Sequence, residues 1–486
     1  MRLIEKRDRK KRRELKRRRK NLFRQSKCSY CKSSLIQRSK HITYSKGNLK
    51  KNRGGSKQNK IAVILLGAGA GRDWNGPLTS DIDRSIREDI AFKTVSEQTP
   101  IGEFVFSKLE EYYGVSGSVN FETFLGVLEL LVDYVLSKTN EGGTSPANTS
   151  FIPLLNSLES WIDEIKDYRF EIITSPEDLV QLHIPRTNEY FENVEQSIVD
   201  RIYFSELLKH YYSLVATKIE EYVVSICNED NLSINNSLKR FIQFLQSSGY
   251  TIRAYTTNYD RLFPHVLRDK IKIFDGFNTK DSSELNSSDD YQIDKILNDK
   301  ACNTYYNLHG CLNWQRSFVI SQLGYKFSCT PNQTHTTIEF RSMLSANPGH
   351  TILPINIVTG YNKVQRLSLE PLNLFFNSFT SDCNNADYII TIGYSFGDFH
   401  INRALSLGIQ KERTKHLHIS FNNSPNDFVN TPEFNAITTM QSLTSGTLRI
   451  IPNDEKWLKS NDKEQRKKVY LHGLKGYLTN EEWIAK

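Results

Sequence analysis

The clearest feature of the hydrophobic pattern is Ile61–Leu66, six apolar residues in a row. A short unbroken run of this kind reads as a strand buried on both faces of a parallel sheet. Further runs at Thr251–Tyr255, Thr351–Val358, Asp387–Ile392 and His416–Phe421 predict more strands. Between the first two, from about Pro100 to Ser248, the period changes. Phe121, Phe124, Leu125, Leu128, Leu131, Val132 and Val135 recur at steps of three and four, as do Phe204, Leu207, Leu208, Tyr211, Leu214 and Val215. Each set builds one apolar helix face, which is expected to pack into a core. Leu367–Phe379 predicts another amphipathic helix, and a further helix opens near His400. Alternating strands and helices define an α/β fold. The expectation is a Rossmann-like doubly wound parallel sheet carrying an inserted helical subdomain over residues 100–248.

The polar stretches divide the chain. Residues 1–60 hold 24 Lys and Arg against three Asp and Glu, a net charge of +21. The whole chain carries +9, so residues 61–486 carry −12. Self-repulsion and the scarcity of apolar residues predict a basic, disordered N-terminal tail. Such a tail suits salt-dependent contact with nucleic-acid phosphates, or simply solvation, or a start placed too far upstream. The remainder reads as a domain over 61–425, with 426–486 as a C-terminal extension packing on it. That extension contains a basic, helix-like stretch at Lys456–Lys468. Asn140–Thr149 and Asn278–Lys300 read as loops.

No apolar run approaches the ~20 residues of a membrane-spanning helix. Neither a secretory signal nor a disulfide framework is evident, and seven scattered cysteines fit reduced thiols in a cytoplasmic protein. Cys28 and Cys31 have the spacing of half a zinc site, with His41 as a third ligand, but no second pair follows nearby. No metal is therefore assigned.

Candidate chemistry sits where strands end. Gly67-Ala68-Gly69-Ala70-Gly71-Arg72 follows the first strand, and a Gly-x-Gly turn lets backbone N–H groups approach a pyrophosphate. Its third glycine comes one residue too early for the full dinucleotide fingerprint. Arg72 meets a phosphate or is solvated. The segment from Asp73 to Ile82 has the residues of a loop that folds over a bound cofactor. Thr256-Thr257-Asn258-Tyr259-Asp260, Gly393-Tyr394-Ser395-Phe396-Gly397-Asp398 and Phe421-Asn422 close later strands, with His309-Gly310 between them. Asp398 is expected to cap the helix that opens beside His400.

In this order the motifs resemble the sirtuin-like family, the silent information regulator fold, and within it the bacterial antiviral-defence branch. The resemblance spans roughly residues 61–425. Gly67-Ala68-Gly69 is similar to the family's first cofactor turn, and Thr257-Asn258-Tyr259-Asp260 to its Gln-Asn-Ile-Asp segment. Leu308-His309-Gly310 is similar to the catalytic His-Gly, and Gly393-Tyr394-Ser395 to the later Gly-Thr-Ser turn. Asp275-Gly276-Phe277, Leu308–Trp314 and Gly393–Asn402 resemble the defence branch more than the deacetylases. The two Cys-x-x-Cys pairs of the deacetylases are missing, since Cys311 and Cys329 stand singly, 18 positions apart. Deacetylation and a structural zinc are therefore not expected.

The resemblance implies an NAD glycohydrolase, with NAD as substrate, acting in abortive infection. Asn258 and His309 are then the catalytic pair. Gly67, Ala68, Gly69, Arg72, Thr257, Asp260, Gly393, Ser395 and Asn422 are then the binding residues. Neutral His309 suits a base, because an ordinary imidazole pKa of ~6.5 leaves it largely unprotonated near pH 7. Asp260 suits the nicotinamide carboxamide, or support of developing positive charge. An enzyme that destroys NAD must be held silent, which implies a homo-oligomer, a ring-forming ATPase or another regulatory partner. The competing expectations are a non-catalytic NAD- or ADP-ribose-responsive nucleic-acid-binding protein and a protein ADP-ribosyltransferase.

Overall fold

Lys60–Leu66 (β1) does form a strand, and it lies in the interior of the sheet. The computed structural model describes residues 60–114, 119–138, 161–165, 196–226, 228–267, 270–277, 291–318, 325–329, 356–359, 363–422, 424–441, 448–450, 455–460 and 465–483. The basic tail with Cys28, Cys31 and His41, the loop at 140–149 and most of the strand expected at 351–358 lie outside the described residues.

The other strands are β2 Tyr250–Thr256, β3 Thr304–Asn307, β4 Trp314–Phe318, β5 Tyr325–Cys329, β6 Tyr388–Ile392, β7 Lys415–Ile419, β8 Leu448–Ile450, β9 Trp457–Ser460 and β10 Lys467–Tyr470. Among the described residues eight of them form one sheet, ordered β3-β2-β1-β6-β7-β10-β9-β8, while β4 and β5 pair separately. The six strands from β3 to β10 run parallel. β9 and β8 continue the edge antiparallel.

Successive side chains of β1 point to opposite faces, as the pleat requires. Ala62, Ile64 and Leu66 pack with Leu238, Phe241 and Leu245 of helix Leu232–Ser247. Val63 and Leu65 pack with Phe375 and Phe379 of helix Leu372–Asn385 and with Leu405 of helix Phe399–Ile409. Both faces are covered by helices, so the sheet is doubly wound as its apolar runs predict. A third core belongs to helices Thr79–Arg87, Ile101–Tyr113, Phe121–Lys138 and Gln196–Ser225, which all lie between β1 and β2 in the chain. Phe124, Leu125, Leu128, Phe204, Leu207 and Tyr211 are buried there, as their spacing predicts. Among the described residues no helix is long and apolar enough to cross a membrane.

The structure departs from the sequence reading at four places. The helix expected over 367–379 runs Leu372–Asn385, with Pro371 at its N-cap. Part of the loop expected at 278–300 is helical, at Ile293–Asn298. The glycine turn itself winds into a 3₁₀ helix, Ala68–Trp74. Trp74 packs inward, its buried indole N–H donating to Asn235 Oδ1 at 2.7 Å.

The largest difference is Lys456–Lys468, whose described residues are not helical but supply β9 and the start of β10. Its basic composition hid an alternating pattern, because Lys467 is itself buried. The Lys467 ammonium donates to the carbonyls of Ile409 and Thr414 at 2.7 and 2.8 Å. It thus caps the C-terminal end of helix Phe399–Ile409, where free carbonyls gather.

Candidate functional site

Strand order reverses at β1: β2 and β3 lie on one side, β6 and β7 on the other. Ligands bind open α/β sheets at such a switch point, beyond the carboxyl ends of the strands. A cavity of 620 Å³ opens there, well within the size of small-molecule sites. It spans the ends of β2, β1, β6 and β7. At ~4.8 Å per strand spacing, that is about 14 Å.

The floor is two interlocked glycine turns. The Gly67 N–H donates to the Ile392 carbonyl at 2.9 Å and the Gly69 N–H to the Gly393 carbonyl at 3.0 Å. Gly393 has φ +57°, and a Cβ there would stand 2.3 Å from Ala70 N and from the Gly69 carbonyl carbon. Any side chain would force the turns apart. Ala68, Gly69, Gly393, Ser395 and Arg72 line the cavity. Arg72 is exposed, its guanidinium 3.9 Å from the centre of the Phe421 ring.

At the end of β2, Thr257 and Asn258 face the same space. The Asn258 amide donates to the Gly67 carbonyl at 3.0 Å, and its backbone carbonyl accepts from the Asn307 amide at 3.1 Å. The residue is thus fixed between β1 and β3. Asp260 is buried, accepts from the Leu262 N–H at 2.9 Å, and has its carboxyl pushed up to about 6 by burial.

His309 follows β3 and is 1 % exposed. Its carbonyl accepts from Val358 N–H at 2.7 Å, and its ring bonds the Thr257 backbone. Nε2 lies 3.4 Å from His400 Nε2 and 4.0 Å from Asp398 Oδ2. Burial holds the imidazole well below its ordinary pKa, and Lys363 adds to this. It is therefore neutral near pH 7. Lys363 reaches Asp398 Oδ1 at 2.7 Å and the two Glu122 oxygens at 3.1 and 3.2 Å. Burial works against the ammonium, but Glu122 and Asp398 outweigh it and raise its pKa. Burial likewise pushes the Asp398 carboxyl up, while the Lys363 ammonium bonded to it prevails and holds it below the usual range.

Most of the residues singled out in the sequence come together. Gly67 lies beneath the wall and contributes its carbonyl to Asn258. Asn422 stands off the wall, its amide donating to Ser420 Oγ at 3.1 Å and its N–H to the Leu471 carbonyl. Ser420, Phe421 and Glu433 face the cavity at that end.

Asp398 occupies the N-cap position of helix Phe399–Ile409, but its carboxylate makes no cap hydrogen bond. The expected cap gives way to the Lys363 ammonium, which offers a stronger, charge-assisted partner. Tyr394 O–H and Asn402 brace this loop, bonding each other at 3.0 Å and its carbonyls at Asp398 and Phe396.

Glu122, Lys363 and Tyr222 escaped sequence reasoning. Glu122 begins a helix whose apolar stripe drew the attention, and Lys363 stands in no motif. The Tyr222 hydroxyl lines the cavity beside Gly71, buried and without a hydrogen-bond partner. An orphaned hydroxyl against a glycine-floored cavity fits a dinucleotide that would supply the missing partner.

The fold and site together define a doubly wound α/β protein with a nucleotide-type cavity at its switch point. Residues 253–438 match the family model described as SIR2-like domain. The match covers less than half of the chain, includes Asn258, His309, Lys363 and Asp398, and supports a sirtuin-like protein with an NAD-related activity. Comparison with curated proteins gives no match.

Proposed function

We propose that this protein is an NAD glycohydrolase that releases nicotinamide and ADP-ribose, and that it serves as an effector of antiviral abortive infection. The observation that carries the catalytic reading is the convergence of Asn258 and His309 on one cavity floored by the Gly67–Gly69 and Gly393 turns. The defence role rests on the resemblance of Leu308–Trp314 and Gly393–Asn402 to that branch.

NAD supplies a cationic pyridinium whose departure as neutral nicotinamide needs no general acid. When the C1′–N bond breaks, its electron pair goes to the nicotinamide nitrogen. A water then bonds to C1′, and its proton passes to His309 before reaching solvent. Asn258 orients the water or a ribose hydroxyl without adding charge. The glycine turns, with no side chains to obstruct the approach, let the pyrophosphate lie against their backbone, and the Tyr222 hydroxyl gains a ligand partner. The Ser420–Phe421 end accepts the adenosine half.

Nicotinamide release from NAD by the purified full chain tests this. Turnover should fall by about 10²-fold or more in Asn258→Ala and His309→Ala, the usual weight of a positioned acid–base group. Equal turnover in wild type and His309→Ala would remove His309 as base. Silence even with extract of infected cells would overturn the glycohydrolase reading. ADP-ribose found attached to protein would redirect it to transfer. Oligomers, a ring-forming ATPase and nucleic-acid contact through residues 1–60 are proposed as controls on the same activity.

A further inference from the structure

The cluster of His309, Asp398 and His400 at the cavity wall has a geometry that base chemistry alone does not require. We propose that His309, Asp398 and His400 capture a divalent transition-metal ion, Zn²⁺ by the chemistry of the donors, and that this capture silences the site. The silencing rests on the glycohydrolase reading above; the capture does not.

The two imidazole Nε2 atoms face each other at 3.4 Å. Two nitrogens bound at 2.0–2.1 Å to one tetrahedral Zn²⁺ stand about 3.4 Å apart. Asp398 Oδ2 lies 4.0 Å from His309 Nε2, and one donor atom from each of the three residues falls within 4.8 Å of the others. Two imidazoles and a carboxylate, with a fourth position left to water, are a zinc donor set. The His309 ring also bonds the Thr257 backbone, which is how metal-bound histidines are held in place.

Lys363 is the competitor, bonded to Asp398 Oδ1 at 2.7 Å. It has a second anchor, since both Glu122 oxygens already lie within 3.2 Å of its ammonium. Releasing Asp398 therefore strands no charge. With two carboxylates and one ammonium, the cluster keeps one negative charge for an incoming cation. A bound ion would take the Nε2 lone pair that His309 needs as a base, so the loaded enzyme could not accept a proton from water.

The test uses the full chain as wild type, His400→Ala and His400→Gln. His400 touches His309 but is not part of the cavity wall, so the effect of Zn²⁺ on each protein is read against that protein's own metal-free turnover. Cobalt(II) titration followed by visible absorption, and Zn²⁺ titration by calorimetry, should show one equivalent more in wild type than in either variant. Metal held by Cys28 and Cys31 is common to all three and cancels. Zn²⁺ should inhibit nicotinamide release in wild type with at least about tenfold greater potency than in the variants, and chelation should restore it. Equal metal stoichiometry in all three proteins overturns the capture. Equal inhibition overturns the silencing. Should wild type bind the extra ion yet never release nicotinamide, the metal site stands and the glycohydrolase reading falls.

Discussion

At the scale of single residues, the chain shows where chemistry is legible and where it is hidden. Asn258 and His309 stand out because each ends a strand inside a recognisable string. Asp398 stood in such a string too, yet its neighbours suggested a helix cap. Its real partner, Lys363, lies 35 positions away in sequence, and no local pattern could announce that contact.

Asp260 carries a prediction of its own. Burial raises its carboxyl from 3.8 to about 6, so between those values the unfolded chain ionises while the folded one stays protonated. Stability contributed by this group is therefore complete below about pH 4 and falls as pH rises toward 6. Asp260→Asn, which keeps an acceptor for the Leu262 N–H, should remove that penalty. Urea unfolding should find it more stable than wild type by up to about 3 kcal/mol at pH 7, with no gain at pH 4. A constant difference across pH would show that the carboxyl does not titrate differently in the two states.

At the scale of elements, the apolar runs placed β1, β2, β6 and β7 because strands buried on both faces leave an unbroken hydrophobic signature. The C-terminal strands lacked that signature. β9 and β10 are short, basic and half-polar, and Lys467 points its charge inward to carbonyls rather than outward to water.

A second buried charge ties β2 to helix Leu372–Asn385. Arg253 Nε donates to Asp382 Oδ2 at 2.5 Å, Tyr255 O–H donates to the same oxygen, and Lys300 reaches Oδ1 at 2.9 Å. Arg253 and Asp382 are both fully buried. Removing one partner of such a pair leaves an uncompensated charge, so Asp382→Ala should lose about 3–5 kcal/mol of stability in chemical denaturation. A loss below about 1 kcal/mol would show that water reaches Arg253 once the carboxylate is gone. Neither residue belongs to the cavity wall, so any fall in activity should follow the folded fraction.

At the scale of the whole molecule, the cavity is built from segments spread over nearly the full described chain. Gly69 and Leu78 come from its beginning, Glu122 and Tyr222 from the helices between β1 and β2, Lys363 from beyond β5, and Gly473 and Leu474 from its end. Sequence pattern revealed the sheet but not this convergence, because side chains from the helical segment show only their core-facing stripe in the periodicity. Truncation after residue 464 would remove β10, which pairs in parallel with β7 and separates it from β9. The truncated chain should lose its cooperative thermal transition, since β7 would face solvent along an open edge. Retention of a wild-type transition would show that β10 is dispensable.

That placement also orders events in time. A ribosome makes β7 some fifty residues before β10, so the strand waits through most of the intervening synthesis without its neighbour. The Asp73 carboxylate, at the other end of the chain, likewise waits for the Lys475 N–H that it accepts at 2.6 Å. A polypeptide still being translated therefore lacks one wall of the cavity. A cell making this protein meets the finished pocket only after residues 467–475 have been made, never on a nascent chain interrupted before them.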